Sequence, residues 1–228
     1  MIYITGDTHG LQDFDKLNIF AGKHPELTKD DFVIIAGDFG GVWNSKNLAA
    51  DLKPYTDLPF TVLFVDGNHE NFDLLETFPV EEWRGGKVRV IKPNIIHLTR
   101  GQVFEIEGKK FFTFGGATSI DKFMRREGIS WWKRELPTFD ELDEGIANLK
   151  RHGNKVDYIV THSCSERALM YPRLRTAASL KLSCPESRML SYIEDVAEYK
   201  HWYFGHFHID AELGDRYTAL YQDVVKVE

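Results

Sequence analysis

Five short apolar runs in this chain each end directly on a cluster of Asp, Asn or His. Met1 to Thr5 leads into Gly6-Asp7-Thr8-His9-Gly10, and Phe32 to Ala36 leads into Gly37-Asp38. Thr61 to Val65 leads into Gly67-Asn68-His69-Glu70, and Val156 to Val160 into Thr161-His162. His201 to Phe204 leads into Gly205-His206-Phe207-His208. Runs of this kind, rich in Ile, Val and aromatics, predict strands buried on both faces. If such strands lie side by side, the clusters that follow them meet along one edge of a sheet.

Helical spacing is expected between the first runs: Asp13 to Ala21, then Asn47 to Leu52 ended by Pro54, then Phe72 to Phe78. Strand, loop and helix in repetition predict βαβ units with right-handed connections. After Pro79 the pattern changes to short strands at Arg89 to Ile91, Ile95 to Leu98, Gln102 to Ile106 and Lys110 to Phe114, with Glu107-Gly108-Lys109 as a hairpin turn. Thr138 with Glu141 three residues on is a capping box, and Leu142, Ile146 and Leu149 mark the stripe of the helix it starts. A helix over Glu186 to Glu198 and two last strands within Leu213 to Glu228 complete the expectation. No linker divides the chain. The reading is one α/β domain over 1–228, with irregular loops 118–137 and 163–185 over the site.

Composition narrows the function. The 228 residues are 43% hydrophobic and 28% charged, which suits a folded chain with a sizeable core. A net charge of -7 gives no broad cationic surface, so strong non-specific binding to nucleic acid or anionic membrane is not expected. Two cysteines, Cys164 and Cys184, fit a reducing compartment, and Cys164 is read as a buried thiol. There is no basic leader and no apolar run near the roughly 20 residues that span a bilayer, so a cytoplasmic location without membrane contact is expected. Nothing selects an oligomeric state.

The residues in the clusters are metal ligands by type. Asp and His suit Mn, Fe or Zn, and Ni accepts the same set. Asp38 has two carboxylate oxygens and is suited to bridge two ions. His162 and His206 offer neutral nitrogens, and Asn68 an amide oxygen. Asp7 and His9 converge if the loop between Gly6 and Gly10 curls. His208 stands two residues past His206, so in extended backbone both point to one side. Each residue alone has a plain alternative: His162 a structural histidine, Asp7 a turn former, Asn68 a turn residue after Gly67. Their concurrence at five strand ends favours a site for two metal ions, with Mn placed first. Two carboxylates leave such a site cationic, and it should attract a phosphate ester. The other histidines, His24, His97, His152 and His201, are read as surface or packing residues.

The clusters, in this order, resemble the calcineurin-like metallophosphoesterases. That superfamily carries Asp-x-His, Gly-Asp, Gly-Asn-His-Asp/Glu, a later His, and Gly-His-x-His. Here these stand as Asp7 and His9, Gly37-Asp38, Gly67-Asn68-His69-Glu70, His162, and Gly205-His206-Phe207-His208. The resemblance implies a four-layer α/β/β/α sandwich with the site at the strand ends. It implies one ion held by Asp7, His9, Asp38 and His208, and a second by Asp38, Asn68, His162 and His206. His69 would be a catalytic, non-ligating histidine near the leaving group. The chain departs from the superfamily's Ser/Thr protein phosphatase branch, since Gly41 and Val42 stand where that branch has an Asp and a phosphate-binding Arg.

The chemistry expected is attack on phosphorus by a metal-activated hydroxide, with His69 assisting the departing oxygen. Candidate substrate-binding cations are Arg125 and Arg126 in the first loop and Arg167 and Arg173 in the second. Trp131 and Trp132 are read as anchors of the first loop. A phosphomonoesterase is the leading function, ahead of a phosphodiesterase or nuclease. A non-catalytic metal-binding module comes last, because no ligand of the set is missing.

Overall fold

A computed structural model describes residues 1–177 and 184–228. The elements run β1 (Ile2–Thr5), α1 (Asp15–Lys23), β2 (Phe32–Ile35), α2 (Leu48–Asp57), β3 (Thr61–Phe64), α3 (Phe72–Leu75), β4 (Val80–Trp83), β5 (Gly86–Lys92) and β6 (Ile95–Leu98). They continue with β7 (Gln102–Ile106), β8 (Lys109–Phe114), α4 (Phe139–Arg151), β9 (Tyr158–Thr161), α5 (Glu166–Leu169), α6 (Pro172–Ala177) and α7 (Pro185–Val196). The chain ends with β10 (His201–Phe204), β11 (Ala211–Leu213), β12 (Tyr217–Ala219) and β13 (Val225–Lys226).

The strands form two mixed sheets. One has seven strands in the order β13-β1-β2-β3-β6-β5-β4, and the other six in the order β11-β12-β10-β9-β8-β7. Each has a parallel centre: β1, β2, β3 and β6 in the first, β12, β10, β9 and β8 in the second. The apolar runs explain the stacking. In β1, Ile2 and Ile4 enter a core between the sheets, while Tyr3 enters the core shared with α1 and α2. In β10, Tyr203 enters the inter-sheet core, while Trp202 and Phe204 pack under α4 and α7. A strand whose alternate residues fill two different cores needs no polar face. The result is the α/β/β/α sandwich expected.

Several local readings change. Pro54 does not end α2: it cannot donate to the Ala50 carbonyl, but Leu52 and Tyr55 are fully buried and keep the helix running to Asp57. Strand β4 was not expected, because an exposed edge strand reading Val-Glu-Glu-Trp has no apolar pattern. The two last strands expected within Leu213 to Glu228 are β12 and β13, but a further short strand, β11, precedes them, and β13 crosses to pair with β1. The second loop is partly helical, with Ser165 Oγ capping α5 at Ala168 N. Residues 178–183 of that loop lie outside the described residues. Among the described residues, no helix is long and apolar enough to cross a membrane.

The capping box is present: Glu141 N donates to Thr138 Oγ1 at 3.2 Å, and Thr138 N donates to Glu141 Oε2 at 2.7 Å. Thr138→Ala is expected to cost about 1 kcal/mol. That is a fall in Tm of about 2–4 °C by calorimetry.

Candidate metal centre

The parallel strands deliver the clusters to one place. β1, β2 and β3 present Asp7, Asp38 and Asn68 from the first sheet, and β9 and β10 present His162 and His206 from the second. Ligands gather at the carboxyl ends of parallel strands for this reason. Backbone bonds tie the loops together. His9 N donates to Asp38 O at 2.8 Å, Gly205 N to His162 O at 3.0 Å, and His206 N to both Asp7 carboxylate oxygens at 3.1 Å. Seven described non-glycine residues have positive φ, and four of them are His9, Asp38, His206 and His208. Such backbone is costly and persists where surrounding contacts over-determine it. It also corrects one expectation. His206 and His208 are not in extended backbone, and His206 is buried while His208 is half exposed.

The side chains fall into two halves that share Asp38. Asp38 Oδ2 lies 3.2 Å from His9 Nε2, and Asp38 Oδ1 lies 3.2 Å from His162 Nε2. The rings pair in the same way: His9 with His208 at 5.0 Å, and His162 with His206 at 4.9 Å. Asp7 lies between, 3.4 Å from His162 Nδ1 and 3.9 Å from His208 Nε2. Asn68 Oδ1 is 3.2 Å from His162 Nε2. Donor atoms of Asp7, Asp38 and His162 all lie within 4.8 Å of one another, as do those of His9, Asp38 and His69.

Neighbours orient these atoms. His162 Nδ1 faces the Ala36 carbonyl at 2.9 Å, which turns Nε2 toward Asp38. His9 Nδ1 faces Asp13 Oδ2 at 2.8 Å, with the same effect. Asn68 Nδ2 donates to Ser119 Oγ at 3.2 Å, and Ser119 Oγ donates to Glu135 Oε2 at 2.6 Å, so the Asn68 oxygen faces the site. Metal-ligating histidines are held by such partners. None of Asp13, Ser119 or Glu135 was singled out from sequence; the only signal for Asp13 was its place four residues after His9.

Two glycines are required by crowding. A Cβ at Gly67 would sit 2.0 Å from Asp38 Oδ1, and one at Gly37 would sit 2.1 Å from His162 Nδ1. Gly67→Ala is therefore expected to displace the Asp38 carboxylate and to lower the metal bound per chain, as measured by elemental analysis, while the fold by circular dichroism persists.

The site favours positive charge. Burial opposes a charged His9, yet the carboxylates of Asp38, Asp13 and Asp7 outweigh it and raise its pKa to about 9. Burial likewise opposes a charged His162, and Asp38 and Asp7 raise it to about 9. Burial works against ionised Asp38 too, but His162, His9 and His69 hold its carboxyl well below the usual range. A pocket that draws protons onto two imidazoles, one of them fully buried, is one that a cation can satisfy. Oxygen and imidazole donors in two groups around one carboxylate fit transition-metal or Mn ions.

The calcineurin-like phosphoesterase family profile matches residues 1–210. The chain belongs to that family. Two curated relatives are lariat debranching enzymes. The one from Drosophila pseudoobscura pseudoobscura is 22% identical over 239 residues, covering 91% of this chain and 42% of that protein. The one from Schizosaccharomyces pombe is 25% identical over 177 residues, covering 70% of this chain and 35% of that protein. The chain thus spans less than half the length of these relatives. A solved structure of a candidate 5'-nucleotidase from Staphylococcus aureus is 16% identical with a TM-score of 0.49, over 96% of this chain and 48% of that one, too distant to carry an argument.

A cavity of about 1050 Å³ opens over the centre, and its walls include His9, Asp38, Asn68, His69, His206 and His208. Of the four arginines expected to bind substrate, only Arg125 lines it. Arg125 Nη2 is 2.9 Å from His69 Nε2, and Arg125 Nε donates to Asp121 Oδ2 at 2.9 Å. Arg126 is exposed away from the cavity. Arg167 is drawn to Asp195 and Glu194 on α7, and Arg173 donates to the Asp210 carbonyl at 3.2 Å. Trp132 anchors the first loop: its Nε1 donates to Asp73 Oδ2 at 2.8 Å, and its ring meets Trp43 edge-on at 5.5 Å. Trp43 itself lines the cavity, which its sequence position did not suggest. His97 is buried on Asp66, in keeping with a packing role.

Proposed function

We propose that the chain hydrolyses phosphoric monoesters at a centre of two metal ions. Asp7, His9, Asp38 and His208 hold one ion, and Asp38, Asn68, His162 and His206 hold the other. The observation that carries this reading is Asp38, whose two oxygens face His9 and His162 at 3.2 Å each. Two ions held there supply an activated water and neutralise the phosphoryl oxygens. Mn is placed first, with Fe, Zn and Ni open.

The protein's own groups do the rest. His69 is placed at the cavity wall by its backbone N–H, which donates to Asp38 Oδ1 at 2.7 Å. From there its ring assists the departing ester oxygen. Arg125 stands against that ring and replaces the missing motif arginine, since Val42 at that motif position is buried. Loop 118–137, which brings Arg125, sets specificity within a single unit over 1–228. The scarcity of cysteine, two in 228 residues, supports a reducing, cytoplasmic setting.

Hydrolysis of a diester is the second reading. The cavity is roomy for a phosphate alone and has one arginine beside the acids Asp13, Asp51 and Asp121, which suits a singly charged ester with a bulky group. The curated relatives, named for debranching lariats, lean the same way. A paired assay decides. Metal-stripped protein is refilled with Mn and given an aryl monoester and the matching aryl diester. A tenfold preference for the monoester supports the first reading, the reverse supports the second, and no hydrolysis of either overturns both. In the preferred assay, His69→Ala is expected to lower kcat by about 10²–10⁴-fold. Its metal content should stay at the wild-type value.

A further inference from the structure

Beyond the residues matched by the family, the chain carries an aromatic side chain at the centre. Tyr221 lines the cavity and reaches both histidines of one half, His208 directly and His9 through Asp13. Its hydroxyl donates to Asp13 Oδ1 at 2.9 Å, and Asp13 Oδ2 is the atom that faces His9 Nδ1 at 2.8 Å. Its ring stacks on His208, with centroids 4.7 Å apart and planes 16° apart.

We propose that Tyr221 is a positioning residue for the His9–His208 half and sets that half's affinity for its ion. The proposal rests on the two-ion reading above. A carboxylate that accepts from Nδ1 fixes both the tautomer and the ring angle of His9, leaving Nε2 for the ion. Tyr221 in turn fixes the carboxylate. His208 has its side chain 48% exposed and its backbone at positive φ, and the Tyr221 ring lies nearly flat on its imidazole.

Tyr221 is itself held in place. Its N–H donates to Asp210 Oδ1 at 2.8 Å. Its carbonyl accepts from the buried Lys16 Nζ, which also donates to the carbonyls of Gly6 at 2.9 Å and Asp7 at 2.6 Å. The loop carrying Asp7 and the segment carrying Tyr221 are thus pinned by one ammonium. The other half has separate support, since His162 Nδ1 faces the Ala36 carbonyl. Tyr221 should therefore act on one ion and not on the other.

The test is calorimetric titration of Mn into the metal-stripped full chain, for wild type, Tyr221→Phe, Tyr221→Leu and His9→Ala. His9→Ala marks which of two binding events belongs to the His9–His208 half. Tyr221→Leu is expected to weaken that event about 10–100-fold. The other event should stay within about threefold, and the melting temperature of the metal-free chain should hardly move. Tyr221→Phe keeps the stack and loses the hydroxyl, so it should weaken the same event by less. Two unchanged events in Tyr221→Leu would overturn the proposal and leave the two-ion reading standing. Both events weakened together, with a lower metal-free melting temperature, would also overturn it, since that marks a purely structural role. A wild type that binds fewer than two ions would refute the two-ion reading first, and the proposal with it.

Discussion

Asp38→Asn is expected to lower kcat/KM by at least about a thousandfold, or about 4 kcal/mol of transition-state stabilisation. The amide keeps the size of the carboxylate but replaces one oxygen with a group that cannot hold a metal. Since one oxygen faces His9 and the other His162, the loss falls on whichever half receives the NH₂. It also removes the charge that draws both imidazoles toward the cationic form. Steady-state rates together with metal analysis check this. A variant that keeps both ions and its rate would show that Asp38 does not bridge.

The second large effect concerns stability. Asp66 is buried beneath the Asn68 loop, with Oδ1 3.1 Å from His97 Nε2 and Oδ2 2.9 Å from Arg100 Nε. Arg100 is 8% exposed and depends on Asp66 and on Glu141, 3.2 Å away, for its charge partners. Asp66→Ala leaves a buried guanidinium poorly paired, at a cost of about 3–5 kcal/mol. The melting temperature should fall by roughly 6–20 °C. Replacing both partners, Asp66→Leu with Arg100→Met, should recover part of the loss, because no buried charge is then stranded. The pH dependence has a definite sign. Burial opposes ionised Asp66, but Arg100 and His97 outweigh it and hold its carboxyl well below the usual range. A carboxyl that ionises more readily in the folded chain contributes stability above the unfolded value of about 4. That contribution fades as pH falls from about 4 toward the folded value. Wild type should therefore lose stability on acidification faster than Asp66→Ala does.

Much of this was legible because strands buried on both faces leave a plain mark. Ile2 to Thr5 and His201 to Phe204 have no exposed polar face, and each breaks into Asp or His where the core ends. The glycines before Asp38 and Asn68 were visible as turn residues, but the need for them is crowding against His162 and Asp38, which only three dimensions reveal. Strand β4 was missed because its exposed residues are under no core constraint. The loop arginines could not be sorted from sequence. Arg125 and Arg126 are neighbours in sequence, yet one reaches His69 and the other faces away. Arg167 was claimed by Asp195, a partner 28 positions away. Asp13 and Tyr221 are 208 positions apart, and no local pattern links them.

Whether two ions share Asp38 is decided by counting them. Metal-stripped protein would be refilled with Mn, freed of excess, and analysed for Mn per chain alongside hydrolysis of an aryl phosphate ester. Wild type should hold two ions per chain and Asp38→Asn no more than about one, and the rate should rise with the second ion. Full hydrolysis by the metal-stripped chain, or two ions retained by Asp38→Asn at an undiminished rate, would contradict a shared Asp38.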